Sequence, residues 1–304
     1  TDVHRLAGIA LLDQLGHQPD VIVGGPPCQG ISAAGNRDDD DPRNQRLWDF
    51  IRLVEQVAPR AVIMENVPRI TVARTRAGYS FADEIVERFR RIGYFCQYKV
   101  LSAEAYGVPQ RRKRAVFLAQ PVGLPPLPWP SPTHDQPSTC GLSGLPAYVT
   151  AGEALGDLPP PRWEEPQPYE AAAQNDFQRM LRQDSEAVFN HVPAKHSETM
   201  IEKMRHQAPG ARLYPNFNHA WIRLHPDLPA PTVKENHRAP FVHFSDHRVV
   251  TPRECARLQS FPDTYLFAGT KSAQLTQVGN AVPPLLAKAL GNAVACWLEM
   301  HASR

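Results

Sequence analysis

Apolar positions along this chain change their period several times, and each change marks an element. Val21, Ile22, Val23 and Gly24 form a short apolar run that ends in Gly-Gly-Pro-Pro, the pattern of a buried strand entering a loop. Leu47, Phe50, Ile51, Val54 and Val57 then recur at helical spacing. Residues 61–64 predict a second buried strand. Phe81, Ile85, Phe89 and Ile92 make another helical stripe, stopped by Gly93. Residues 94–101 and 115–119 predict two further strands. Strands alternating with helices predict an α/β fold, an open sheet with helices on its faces. Ligands of such sheets sit at the carboxyl ends of the strands, where the loops after Gly24 and Met64 fall.

The pattern is lost in the middle of the chain. Prolines are dense from Pro121 to Pro168, with Trp129 and Trp163 among them, which excludes a continuous helix or a central strand. This stretch predicts a small irregular domain or a long wrapped connection. Residues 197–207 predict a helix that Gly210 ends. Regularity then returns. Thr251-Pro252-Arg253-Glu254 is a capping box with proline at the first helical position. A last helix follows Pro283-Pro284, with Leu286, Ala289, Leu290, Ala293 and Trp297 on one face.

Composition narrows the class. With 304 residues, 42% of them hydrophobic, the chain can bury the core of one large domain or two moderate ones. A net charge of +2 fits a nucleic-acid partner without requiring one. No apolar run approaches ~18 residues, so no membrane span is predicted. The five cysteines are widely spaced and form no C-x-x-C pair, so neither a disulfide framework nor a zinc site is expected. A reducing cytoplasm suits that usage. His243 and His247 lie in a loop-like stretch, and no metal site is expected there.

Three places carry candidate chemistry. Cys28 follows Gly24-Gly25-Pro26-Pro27 at a strand end, where a cysteine is placed like a nucleophile. On that loop alone a small buried hydrophobe is an equally good reading. Glu65 ends the second strand, where desolvation can make a carboxyl hold or donate a proton near neutrality. Taken alone, a capping or solvated glutamate is the better account of it. Gln110-Arg111-Arg112-Lys113-Arg114 precedes an apolar strand, and alternation would put Gln110, Arg112 and Arg114 on one side. Guanidinium groups there suit phosphate and carbonyl oxygens, although taken alone a solvated basic patch is the better account of the run.

Read in order, these places join two more. Pro26-x-Cys28-Gln29 is followed by Glu65-Asn66-Val67 and by Gln110-x-Arg112-x-Arg114. Then come Arg253-Glu254-x-x-Arg257-Leu258-Gln259-x-Phe261-Pro262 and Gln277-x-Gly279-Asn280-Ala281-Val282-Pro283. Each is weak alone, but the ordered set resembles the cytosine-5 DNA methyltransferases over nearly the whole chain. The resemblance implies a Rossmann-like, S-adenosylmethionine-dependent sheet with a small irregular target-recognition domain. It divides the chain into a first catalytic part (1–120), the recognition domain (121–245) and C-terminal motifs returning to the catalytic domain (246–304).

The resemblance also implies roles. Cys28 is the nucleophile, Glu65 contacts ring nitrogen 3 of a flipped cytosine, and Arg112 and Arg114 hold the base and the backbone. Asp2, Val3, Pro26, Leu47, Asn280 and Ala281 fall on the S-adenosylmethionine side. Gln29, Ser32, Arg43 and Gln110 contact double-stranded DNA, with Ser32, Arg43 and Leu47 in a loop that closes over DNA and cofactor. The setting implied is a restriction-modification or related system.

Two departures stand out. Ile31 occupies a position usually held by phenylalanine, a minor apolar exchange. More importantly, the Phe-x-Gly-x-Gly loop that opens the family, and the acidic residue gripping the ribose, are not in this sequence. Thr1-Asp2-Val3 aligns with the third motif, while Phe267-Ala268-Gly269-Thr270 has only one glycine and reads as structural. The expectation is therefore a sheet whose N-terminal strands lie outside this chain, with an apolar edge that upstream residues or a second polypeptide would complete. Two rivals remain: a non-catalytic DNA-binding or regulatory subunit, and the same chemistry on RNA.

Overall fold

The computed structural model describes residues 3–27, 45–74, 78–138, 140–216, 220–234 and 241–301. It separates into two compact units. The first comprises residues 1–102, 113–130 and 290–304, and the second comprises residues 103–112 and 131–289.

The first unit is an α/β layer. After a 3-10 turn at Val3–Arg5 come α1 (Gly8–Leu15), β1 (Val21–Gly24), α2 (Gln45–Val57), β2 (Ala61–Asn66), α3 (Phe81–Arg91), β3 (Tyr94–Ser102) and β4 (Lys113–Pro121). The strands pair in the order β1-β2-β4-β3. β1 and β2 are parallel, whereas β4 runs antiparallel to both neighbours, so the sheet is mixed. Only a short 3-10 helix, Ala103–Tyr106, lies between β3 and β4, too little for the crossover that parallel strands need, so the chain returns antiparallel.

The helices form where the apolar stripes predict them. Ser80 caps α3 by accepting the Asp83 N–H (3.5 Å), with Asp83 and Glu84 in its first turn and Arg88, Arg90 and Arg91 in its last. That charge order matches the helix dipole. Gly93 follows with φ 83°, a conformation costly for other residues. Leu47, Phe50 and Val54 of α2 and Phe81, Ile85 and Phe89 of α3 pack on Val62, Met64, Ala115, Phe117 and Ala119. Ile63, Val116 and Leu118, on the other face, are buried too. A sheet covered on both faces reads as continuous apolar runs, which is why β2 and β4 do not alternate. Among the described residues β1 pairs with β2 alone, and Val23 is 69% exposed.

The second unit has little regular structure. It holds α4 (Cys140–Ser143), α5 (Ala151–Leu155), α6 (Asp176–Arg182), α7 (Glu198–Arg205), the two-residue strands β5 (Ile222–Arg223) and β6 (Phe241–Val242), α8 (Pro252–Leu258) and α9 (Lys271–Asn280). The last helix, α10 (Pro284–Met300), gives its residues from Leu290 on to the first unit, where Trp297 donates its indole N–H to the Pro125 carbonyl (3.2 Å). The sequence division placed residues 246–289 with the catalytic part. The compact units instead join them to 131–245, because Cys255, Ala256 and Leu258 of α8 share one core with Ala151, Leu155, Leu181 and Phe241.

Polar side chains brace that core. The predicted capping box is present: Thr251 accepts the Glu254 N–H (3.2 Å), and Glu254 accepts the Thr251 N–H (2.6 Å). Arg248 grips the same carboxylate through both terminal nitrogens (2.9 and 2.8 Å). Burial alone would raise Glu254, but the guanidinium holds it far below the usual carboxylate range. Arg257, wholly buried, donates to Asp263 (2.6 Å) and to Asp157. Phe267 is buried and Thr270 caps α9, which makes the Phe-x-Gly stretch structural, as expected.

Candidate active site

Asp2, Cys28, Gln29, Ser32 and Arg43 lie outside the described residues. The others fall into two groups, one in each unit.

In the first unit the site is built at the carboxyl end of the parallel pair. Gly24 ends β1 opposite Met64 of β2. A Cβ on Gly24 would lie 2.4 Å from the Phe50 ring, so only glycine lets the strand end pass this close to α2. A Cβ on Gly25 would crowd Glu65 Oε2 at 3.2 Å. The next carbonyl, of Pro26, accepts from Asn66 Nδ2 (3.0 Å), and Asn66 Oδ1 accepts the Val67 N–H (2.8 Å). Asn66 therefore ties the loop that leads to Cys28 to the end of β2. No task for Asn66 was evident from the sequence, where an amide directly after Glu65 at the strand end was the available signal.

Glu65 and Arg114 meet through strand register. Glu65 opposes Val116, and Arg114 lies two residues before Val116, so both project from the same face. Arg114 Nε sits 2.6 Å from Glu65 Oε1, with side-chain exposures of 13% and 18%. Arg114 also donates to the Lys113 carbonyl (2.8 Å). The carboxylate thus emerges against a guanidinium that fixes its direction, not into a purely apolar pocket. A charge-assisted pair of this length leaves Glu65 oriented rather than sweeping through rotamers.

Three expected contacts sit differently. Leu47 belongs to α2 and is wholly buried in the core, not in a closing loop. Gln110 and Arg112 precede β4, which begins at Lys113, so the alternation of a strand does not reach them. Gln110 is 0% exposed and Arg112 1%. Gln110 donates to the Leu258 carbonyl (3.0 Å) and to Gln259 Oε1 (3.1 Å), and it accepts the Val233 N–H (3.0 Å). Arg112 donates to the carbonyls of Val233 (2.8 Å), Gly279 (2.9 Å) and Ala281 (2.9 Å). Both are interior fasteners of the second unit, which replaces their expected roles as a DNA contact and as a hand on the base.

The cofactor-side residues are divided likewise. Val3 accepts from Arg52 Nη2 through its carbonyl (3.2 Å). Asn280 closes α9 with its side chain exposed, and Ala281 is the C-cap.

A family model for C-5 cytosine-specific DNA methylases matches residues 4–296. The chain belongs to this family. Its relatives include the type II methyltransferase M1.HphI of Haemophilus parahaemolyticus, 37% identical over 96% of this chain and 73% of the relative. M.DdeI of Desulfomicrobium norvegicum is 35% identical over 92% of this chain and 73% of its own length. A structure described as a DNA modification methyltransferase encoded within a prophage of E. coli superposes with a TM-score of 0.78 at 25% identity, covering 98% of this chain and 85% of that one. The S. pombe Dnmt2 methyltransferase shares the fold, with a TM-score of 0.58 at 16% identity over 99% and 83% of the two chains.

The C-5 cytosine methylase assignment makes this chain a DNA (cytosine-5-)-methyltransferase with S-adenosylmethionine as methyl donor. The described residues fit that donor. In the first unit two glycines keep the end of β1 clear of side chains, and the following carbonyl is held by Asn66.

Proposed function

We propose that Cys28 and Glu65 carry the transfer, acting on a cytosine flipped out of double-stranded DNA. The Cys28 thiolate adds to carbon 6 of the ring. Glu65 in its acid form, oriented by Arg114, donates its proton to ring nitrogen 3 as the thiolate adds, so that no negative charge is left on the ring. Carbon 5 thereby becomes nucleophilic. S-adenosylmethionine, when bound, would supply an electrophilic methyl group to carbon 5, its sulfur leaving with the bonding electrons as the thioether S-adenosylhomocysteine. A base then removes the carbon-5 proton, and the thiolate departs as the ring recovers its double bond. Asp2, Val3, Pro26, Asn280 and Ala281 would hold the donor, and Gln29, Ser32 and Arg43 would contact DNA. The observation that carries this reading is the Glu65–Arg114 pair of 2.6 Å at the strand end beside the Pro26 loop.

The type II names of the relatives support a place in a bacterial restriction-modification system, acting in the cytoplasm. The exposed edge of β1 supports the presence of further polypeptide against it, on this chain or a second one. The test is trapping on duplex DNA carrying 5-fluorocytosine, because fluorine cannot leave as a proton does. The wild-type enzyme should give a covalent complex stable to denaturant, and Cys28→Ser should give none. An adduct formed by Cys28→Ser would end the assignment.

A further inference from the structure

We propose that Arg112 is a positioning residue for the cofactor side of the reaction. Its buried guanidinium fixes the break between α9 and α10, and through it Asn280 and Ala281. The inference rests on the reading that these two residues face S-adenosylmethionine.

The last carbonyls of a helix have no partners within it and must find them elsewhere. At the end of α9 two side chains supply them. Gln259 Nε2 takes the Val278 carbonyl (2.6 Å), and Arg112 Nη2 takes those of Gly279 and Ala281 (2.9 Å each). Arg112 Nη1 anchors the same guanidinium to the Val233 carbonyl (2.8 Å). Gln110 secures Gln259 in turn (3.1 Å) and receives the Val233 N–H (3.0 Å). The main chain on both sides of Asn280 is thus pinned from the interior, while the Asn280 side chain stays exposed.

A guanidinium suits this task for two reasons. Positive charge is favourable at a helix C-terminus. A planar fork also reaches several carbonyls at once, which an ammonium on a flexible stem does not do in one fixed geometry. A phosphate-binding role would need the guanidinium at the surface. Arg112 is 1% exposed, and the neighbouring arginine that faces solvent is Arg111.

The test is steady-state kinetics of Arg112→Lys, Gln259→Met and Asn280→Ala, varying S-adenosylmethionine and duplex DNA separately, with DNA Kd measured across a salt series. Arg112→Lys should raise the KM for S-adenosylmethionine about ten- to hundredfold, the scale of a lost charge-assisted hydrogen bond, and Gln259→Met about three- to tenfold, the scale of a neutral one. DNA Kd and its salt slope should stay at the wild-type values. A merely structural Arg112 would lower melting temperature without moving that KM. A weaker DNA Kd for Arg112→Lys with a salt slope reduced by about one and an unchanged cofactor KM would make it a phosphate contact and overturn the inference. Should Arg112→Lys not fold, Gln259→Met decides by the same criterion. Unchanged cofactor KM in the Arg112 and Gln259 variants, with a raised one in Asn280→Ala, sinks the inference alone. Unchanged values in all three sink the reading of Asn280 and Ala281 as well.

Discussion

Glu65 shows what one residue owes to its neighbours. Its carboxylate is useful only if it points in one direction, and Arg114 at 2.6 Å supplies that direction. Glu65→Gln should therefore lower kcat by about a hundredfold or more while DNA Kd changes little, because its contact strengthens as charge develops on the ring. Equal losses in kcat and DNA affinity would mark a structural glutamate. Asn66 acts one step further back. Asn66→Ala removes the donor to the Pro26 carbonyl and should slow covalent trapping by 5-fluorocytosine DNA by about tenfold, with the melting temperature falling only slightly. A trapping rate equal to wild type would show that the loop is held otherwise. The place of Glu65 at the end of β2 was legible in the sequence because the apolar run before it is local. The burial of Gln110 and Arg112 was not legible, because strand alternation was extended over residues that precede β4, while their roles at DNA and the base rested on the resemblance alone.

Among the elements, those with a strong period were read correctly. The stripes of α2 and α3, the runs of β1 and β2, and the capping box of α8 all have local causes. The antiparallel course of β4 was not read, since both directions give the same apolar run. The short helices and two-residue strands of the second unit also escaped, because they are held by long-range polar contacts and not by a repeating pattern. Arg257 is the clearest of these, buried between Asp157 and Asp263, residues distant or near in sequence with no periodic relation. Asp263→Ala should cost roughly 3–5 kcal/mol in urea unfolding, since it strands part of a buried charge. Phe89→Ala, in the core of the first unit, should cost about 3–5 kcal/mol through the cavity it leaves. Losses below about 1 kcal/mol at either site would mean that these cores relax more freely than their packing implies.

At the scale of the whole molecule, stability should depend on pH through buried histidines. His191 is sealed between Thr251 Oγ1 and the Pro159 carbonyl (2.8 Å each). Burial lowers it below the ordinary value, against the pull of Glu254. His243 is lowered by burial too, with Glu254 and Asp246 opposing and Arg248 and Arg223 assisting. Such groups bind fewer protons folded than unfolded. Stability is therefore full above the ordinary histidine pKa of about 6.5 and falls as pH drops below it. The urea midpoint should decline from pH 7.5 to 5.5, and less steeply in His191→Gln; an unchanged slope would remove His191 from the account. The domain division was only partly legible, because sequence shows where a pattern stops but not which core a returning helix joins. If the irregular stretch reads the DNA sequence, exchanging residues 131–245 with those of a relative should change the site methylated while catalysis persists. The central claim is methylation at carbon 5, and nucleoside analysis tests it most directly. Duplex DNA is incubated with the enzyme and methyl-labelled S-adenosylmethionine, digested, and resolved by mass spectrometry. The account predicts label in 5-methyldeoxycytidine, absent with Cys28→Ser; label in N4-methyldeoxycytidine or N6-methyldeoxyadenosine, or 5-methyldeoxycytidine made by Cys28→Ser, would contradict it.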